Sequence, residues 1–358
     1  MAVYFIIFFL NLIFCVIGYH YKWLDKAGAF IMTMIMFLLC GLRSVECGTD
    51  TINYYHIFSY NAQFNEQRLE PLFILLRNSI SEFQIFLIIF AFGTYAILYY
   101  VVQKEVRYCS IAILIFMIST TKFFPESFNI IRQSLAASII LWGFTEWNKN
   151  KISNKIKTLI LFVIATLFHY SSFVAFLFLI VGNVKFNKTV TYIIIIVTLI
   201  LGIFGITRNI VQNFIVHIGE SNINSLVTHY VNYGYRVDNL MHFSSLILWL
   251  IPLSYFAITC YPITKMARMK YGYYYNVFFI ATIVGNLLIP ALDWGLRLIF
   301  SVMIIQVIVI PDAIRYAARK QRFLIFSAIM LCSISYLFYI YHLQYNIVTS
   351  IVPYESII

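Results

Sequence analysis

Charge is scarce in this chain. Only 11% of its 358 residues are Asp, Glu, Lys or Arg, with 14 acids against 25 Lys and Arg. A soluble domain carries roughly a quarter of its residues as charges, so a water-exposed surface of ordinary composition is excluded. Glycine (14) and proline (7) are also few, which leaves no low-complexity linker. The six cysteines, Cys15, Cys40, Cys47, Cys109, Cys260 and Cys332, show no paired spacing. They point neither to a disulfide framework nor to a metal site. There is no Asp-x-Asp, no Walker loop and no His-x3-His. A mechanism driven by a divalent metal or a nucleotide therefore has no residues to stand on, and no cofactor is expected.

What the chain has instead is apolar length. It is 62% hydrophobic with mean hydropathy +0.85, the composition of an all-α integral membrane protein. Crossing a hydrocarbon core of about 30 Å takes roughly 20 apolar residues per helix. Such runs lie near 3–18, 27–42, 83–101, 108–120, 127–147, 157–182, 190–206, 241–261, 273–290, 294–310 and 322–343, about eleven segments in a single polytopic domain spanning 1–358. The first lacks a charged n-region and a small-residue cleavage site and reads as an uncleaved anchor. No internal repeat interrupts the pattern.

The cations sort these runs. Seventeen fall in six clusters on one predicted side: Lys22/Lys26, Lys104/Arg107, Lys149–Lys157, Lys185/Lys188, Lys265–Lys270 and Arg315–Arg322. That excess marks the cytoplasmic face, so the net charge of +11 is not a nucleic-acid footprint. One conflict remains, because three apolar runs separate two clusters that belong on the same side. A re-entrant hairpin over 157–182, turning near His169-Tyr170-Ser171-Ser172, restores parity. Arms of about 12 residues would reach about 18 Å, and broken backbone at that depth must be buried in protein or line a cavity. An ordinary helix with a misplaced loop charge is the competing reading. Two outer loops, about 43–82 and 207–240, are too long for simple connectors. Both carry amphipathic stretches, including a helix start at Glu70-Pro71.

The opposite face carries seven arginines and a single lysine: Arg43, Arg68, Arg77, Arg132, Arg208, Arg236, Arg297 and Lys122. Guanidinium is a planar fork that grips phosphate oxygens in pairs, whereas ammonium is a point charge. Selection for arginine suggests a multidentate anion such as a diphosphate, although pairing with the ten outer acids would also account for single cases. Arg43, Arg132 and Arg297 are expected at one depth, just inside the outer boundary. An arginine there costs about 2.5–3.5 kcal/mol on insertion scales and normally faces a partner or a watery cavity. Asp50, Glu126 and Asp293 fall at the same level. His169 is alone in an apolar run, so it is either a general base or a hydrogen-bonded structural residue. The outer tyrosines Tyr230, Tyr233 and Tyr235 suit sugar rings, as well as an interfacial belt.

Gly41-Leu42-Arg43, Gly48-Thr49-Asp50-Thr51-Ile52-Asn53-Tyr54, Glu70-Pro71-Leu72, Arg132-Gln133-Ser134-Leu135-Ala136 and Phe168-His169-Tyr170-Ser171-Ser172 occur in that order. Together they resemble the EpsG-like branch of the Wzy polysaccharide (O-antigen) polymerases. The C-terminal half matches mainly through the outer tyrosine-rich loop and Trp294-Gly295-Leu296-Arg297. The resemblance implies a GT-C-like, metal-independent, inverting glycosyltransferase in the bacterial inner membrane with its active site facing the periplasm. It also implies transfer of a growing glycan from undecaprenyl diphosphate to a new lipid-linked repeat unit. A chain-length-regulating co-polymerase, membrane lipids and the two lipid-linked oligosaccharides are the implied partners, with no nucleic acid.

On that footing His169, Asp50 and Asp293 are the candidate catalytic groups, His169 first. Arg43, Arg132, Gln133, Arg297, Arg236, Tyr230 and Tyr233 are the candidate substrate-binding groups. A lipid-linked oligosaccharide flippase or other transporter is the main alternative, but it would call for two related halves and a polar central path. An O-antigen ligase would share the chemistry and differ in acceptor.

Overall fold

The computed structural model describes residues 2–59, 69–119, 121–149, 151–182, 184, 186–207, 210, 239–291, 295–343, 351–352 and 354–357, with side chains in 239–291 from Trp249 onward. The described chain is almost wholly helical, and every apolar run of the sequence holds a helix. The first half contains α1 (Ala2–His20), α2 (Lys22–Gly41), α3 (Thr51–Ser59), α4 (Pro71–Ser79), α5 (Phe83–Glu105), α6 (Cys109–Ile118), α7 (Phe123–Asn129) and α8 (Ile131–Trp147). Then come α9 (Ile152–Phe168), a 3-10 turn (Tyr170–Val174), α10 (Ala175–Val181), α11 (Lys188–Ile203) and α12 (Asn239–Thr259). The chain continues with α13 (Lys265–Lys270), α14 (Gly272–Leu288), α15 (Gly295–Met303), α16 (Gln306–Tyr316) and α17 (Arg319–Leu343).

Among the described residues four helices, α1, α2, α5 and α17, are long and apolar enough to cross a membrane. The number rises to six if α6–α7, bent by 57°, and α15–α16, bent by 51°, each count as one span. Shorter apolar helices, among them α11, accompany them, and the fold supports an all-helical membrane protein.

Burial separates two kinds of helix. All ten residues of α6 are buried, as is most of α8 and α16. α1, α9, α11 and α17 bury a stripe and expose the rest, with Val16, Ile152, Ile193 and Phe323 more than half exposed. A helix that is apolar on both its buried and its open face suits lipid on the outside and protein on the inside. Small residues set the close crossings. A Cβ on Gly202 of α11 would come within 2.2 Å of the Asn286 carbonyl of α14. At the same crossing the buried Asn286 amide donates to Thr198 of α11 (3.2 Å) and Ser254 of α12 (3.0 Å), an interhelical bond of the kind that ties membrane helices together.

The 157–182 segment doubles back as expected. α9 ends at Phe168, His169 takes an extended backbone, and the chain returns through the 3-10 turn into α10. The Phe176 and Phe162 rings lie 5.3 Å apart. Asn276, near the start of α14, donates to the Gly182 carbonyl at 2.9 Å. The arms differ from expectation: the first has 17 residues rather than about 12 and at 1.5 Å per residue reaches about 25 Å. The reason is that α9 begins at Ile152, ahead of the last lysine of its cluster.

This return brings lysine-bearing segments together. Tyr261, which accepts from Arg268, donates to the Phe186 carbonyl at 3.0 Å. Asp312 lies within electrostatic reach of Glu105, Lys270 and Arg315, Glu105 of Lys149, and Arg322 reaches the Tyr19 hydroxyl. These contacts define a lysine pole. Arg43, Asp50, Glu70, Lys122, Glu126, Arg132, His169 and Arg297 lie at the other helix ends and form an arginine pole.

Candidate functional site at the arginine pole

The floor of the site is the turn between α2 and α3. Gly48 has φ +104°, and a Cβ there would meet Thr51 Oγ1 at 2.7 Å, so the turn needs glycine. Thr49 N–H donates to Asn129 Oδ1 at the end of α7 (2.8 Å), and Thr51 Oγ1 donates to the Cys47 carbonyl (2.9 Å). Beneath the turn sits Arg43, fully buried. Its guanidinium donates to the carbonyls of Cys40 and Phe128 (2.9 Å for the latter) and to Thr51 Oγ1 at 3.3 Å. From the other side the 351–357 segment closes over it, with Ser44 N–H donating to the Glu355 carbonyl (2.8 Å) and Ile357 N–H to that of Leu42 (3.1 Å).

This corrects the expectation that Arg43 opens onto a pocket shared with Arg132 and Arg297. Packing turns this arginine inward, where three backbone and hydroxyl oxygens use its donors. It braces the turn that carries Asp50.

The wall is built on Glu70. Pro71 opens α4, and Glu70 is its extended N-cap residue, yet the carboxylate does not cap its own helix. It points instead to the hairpin tip and to α8. Oε1 accepts from His169 Nδ1 (2.9 Å) and from Tyr170 N–H (3.4 Å), while Oε2 is paired with Arg132 Nη1. Glu70 is only 3% exposed. Burial works against its charge, but the His169 hydrogen bond and the Arg132 guanidinium outweigh it and hold the carboxyl below its ordinary range. Arg132 also lies over the faces of Phe73 (4.9 Å) and Tyr54 (5.6 Å), contacts of about 0.5–2 kcal/mol each.

Arg297 closes the other side. It is exposed in the first turn of α15, and its backbone carbonyl accepts from Gln133 Nε2 of α8 and from Ser171 Oγ at 3.4 Å. Ser172 pairs with Ser301 at 3.0 Å. Gln133 is thus a tie between α8, the hairpin tip and α15. Asp50 is half-buried; burial pushes its carboxyl up, and Arg297 and Arg132, both within electrostatic reach, pull it back. Glu126 faces Lys122, Arg297 and Asp50. Lys122 adopts φ +49°, uncommon for a residue with a Cβ, and its ammonium lies 3.4 Å from the Tyr339 ring centroid.

Of the sequence candidates, Asp50, Arg132, Gln133, His169 and Arg297 therefore gather in one cluster, with Arg43 beneath the turn. Asp293, Arg236, Tyr230 and Tyr233 lie outside the described residues. In the sequence Glu70 stands as a helix start and in the Glu70-Pro71-Leu72 motif of the resemblance, without a role of its own; its pairing with His169 and Arg132 emerges from the structure. Among the described residues no three His, Cys, Asp or Glu side chains gather as metal ligands.

Two buried atoms in this cluster, Arg132 Nε and Gln133 Oε1, have no hydrogen-bond partner among the described residues. Buried polar atoms are rarely left so, and here a donor and an acceptor on successive residues are available to a polar ligand. An imidazole, two guanidiniums and an acidic group in one cluster can take a proton from a hydroxyl and offset charge on a phosphorylated leaving group.

A family model describing the EpsG family matches residues 26–356. No curated protein and no solved structure matches the chain.

Proposed function

Because the chain belongs to the EpsG family, we propose that it is a polysaccharide polymerase, a metal-independent inverting glycosyltransferase of GT-C-like architecture with eleven membrane segments in one domain. Its donor is a growing glycan on undecaprenyl diphosphate, and its acceptor is the non-reducing-end sugar of a new lipid-linked repeat unit. The observation that supports this reading is the clustering of His169, Asp50, Arg132 and Arg297 at the pole opposite the lysines.

In a single displacement the acceptor hydroxyl oxygen attacks the anomeric carbon, the bond from that carbon to the diphosphate oxygen breaks, and configuration inverts. His169 takes the hydroxyl proton. Arg132 and Arg297 stabilise the charge that gathers on the departing diphosphate, a role that fixed guanidiniums fill without reorganisation. Asp50, and Asp293 beside Arg297 in sequence, are the competing bases. Arg43 acts through the Asp50 turn. Gln133 orients substrate with its spare Oε1, and Arg236, Tyr230 and Tyr233 hold the sugars. Two lipid anchors in one membrane plane supply proximity, which is worth up to about 7–11 kcal/mol of barrier in well-oriented systems. The lysine pole faces the cytoplasm of a bacterial inner membrane by the positive-inside rule, and the cluster faces the periplasm. A co-polymerase partner sets chain length.

The test is complementation of a deletion strain at matched membrane abundance. His169→Gln, Arg132→Ala and Arg297→Ala should each leave single repeat units where the unaltered protein gives long chains. Long chains from all three would sink the proposal. Loss of a ligase would leave no repeat on the lipid core, and loss of a flippase would trap the unit facing the cytoplasm.

A further inference from the structure

We infer that Glu70 is a positioning residue that fixes which nitrogen of His169 carries the proton, leaving Nε2 as the base toward the acceptor hydroxyl. This deepens the reading above and rests on it. The geometry is specific. Glu70 follows the 60–68 segment and precedes Pro71, whose ring fixes φ for the first turn of α4. Its own backbone is extended (φ −75°, ψ 145°), and its carbonyl accepts from Ile74 N–H at 3.0 Å. A glutamate at this position would ordinarily turn toward the free N–H groups of its own helix. Here it leaves them and reaches across to a residue 99 positions away.

At the far end, His169 is held just as firmly. Its N–H donates to the Ala165 carbonyl (2.9 Å), ending α9, and its carbonyl accepts from Ser172 N–H (3.0 Å), starting the 3-10 turn. The ring therefore sits at the hairpin tip with little backbone freedom. An ionised carboxylate can only accept hydrogen bonds, so the proton between Glu70 Oε1 and His169 belongs on Nδ1. The neutral ring then has its lone pair on Nε2. Glu70 stays ionised because Arg132 neutralises Oε2 and burial is offset.

In the reaction the acceptor O–H bond breaks and its proton goes to Nε2. The resulting imidazolium keeps its Nδ1 bond to the Glu70 carboxylate, then returns the Nε2 proton to solvent. No other reactant is needed. Arg132 and His169 are thereby coupled through one carboxylate, which sets the phosphate-facing cation and the base in a fixed relation.

The experiment uses the full chain in proteoliposomes with a lipid-linked repeat unit. It measures kcat, KM and the pH profile of kcat/KM for the unaltered protein, Glu70→Gln, Glu70→Asp and His169→Gln. Glu70→Gln should cut kcat by about 10²–10⁴-fold, the usual weight of an oriented general base. The acidic limb of the profile should move to lower pH, because the imidazolium loses its counter-charge. Glu70→Asp should restore part of kcat and of the limb position. A lower kcat with the limb unmoved, or a change confined to KM, would overturn the inference, since it would make Glu70 a prop for the fold or for Arg132 alone. So would Glu70→Gln with near-normal kcat while His169→Gln is inactive. Full activity in His169→Gln would instead remove the reading on which the inference rests.

Discussion

The two poles carry charge for different reasons. At the lysine pole, cations sit at helix ends and over aromatic faces, such as Lys155 over Trp147 and Lys188 over Tyr192. The acids there do local work. Asp25 accepts from the N–H groups of Cys109 and Ser110 at the start of α6, and Glu146 lies between Lys149 (2.8 Å) and Lys157 (3.4 Å). At the arginine pole the charged groups come from six separate stretches of chain and lie within electrostatic reach of one another, from buried Glu70 to exposed Arg297. A lysine there must only be on the right side of a bilayer, whereas an arginine opposite must be in the right place. Position along the membrane normal is cheap to encode, and constellation is not.

The contrast can be broken most directly by activity. Arg132→Ala and Arg297→Ala should lower polymer formation at least about 100-fold, the scale of a lost electrostatic contact to a developing anion. Lys151→Ala and Lys155→Ala should leave it within a factor of two, and glycan ladders at equal abundance read both. Equal losses at the two ends would erase the distinction.

Next is stability. Arg43→Met leaves the carbonyls of Cys40 and Phe128 without their donor, at about 2–4 kcal/mol for two buried acceptors. Arg43→Lys should recover little, because a point charge cannot span both; thermal unfolding in detergent measures this. Gly48→Ala should cost about 1–3 kcal/mol through its positive φ and reduce activity by shifting Asp50. Asp25→Asn, a lost cap at the lysine pole, should cost about 1 kcal/mol with catalysis per molecule unchanged.

The smallest effect is on pH. Glu70 is held below its unfolded value near 4.5, so its contribution is complete above that pH and is lost as pH falls through the depressed folded value. Unfolding temperature should therefore drop more steeply in acid for the unaltered protein than for Glu70→Gln. Asp50, raised by burial, works in the opposite sense: its contribution is present below its unfolded value and fades as pH rises. Asp50→Asn should steepen the acid loss of the unaltered protein further.

Much of this was legible in the sequence because it depends on one dimension. Apolar length located the helices, lysine clusters located one pole, and the need for even crossings located the turn at His169. Placement of Arg43, Arg132 and Arg297 near helix ends followed from the same runs. Direction did not. Whether Arg43 faces in or out depends on Phe128, 85 residues away, and on the 351–357 segment. Glu70 has its partners at distances of 62 and 99 residues. No local pattern encodes such pairs, and the helix-start signal at Glu70-Pro71 pointed to a lesser role.

The short antiparallel bridge between Arg43 and Ser356 joins stretches that lie far apart along the chain. Until residues near 356 have emerged and swung back, the stretch that leads into the turn bearing Asp50 lacks its Ser44–Glu355 and Ile357–Leu42 hydrogen bonds, however early α2 and α5 were inserted. Catalytic competence should then appear as a late event in biogenesis, separable from membrane integration. A bulky insertion beside Ile357 should yield protein that is present, integrated and idle.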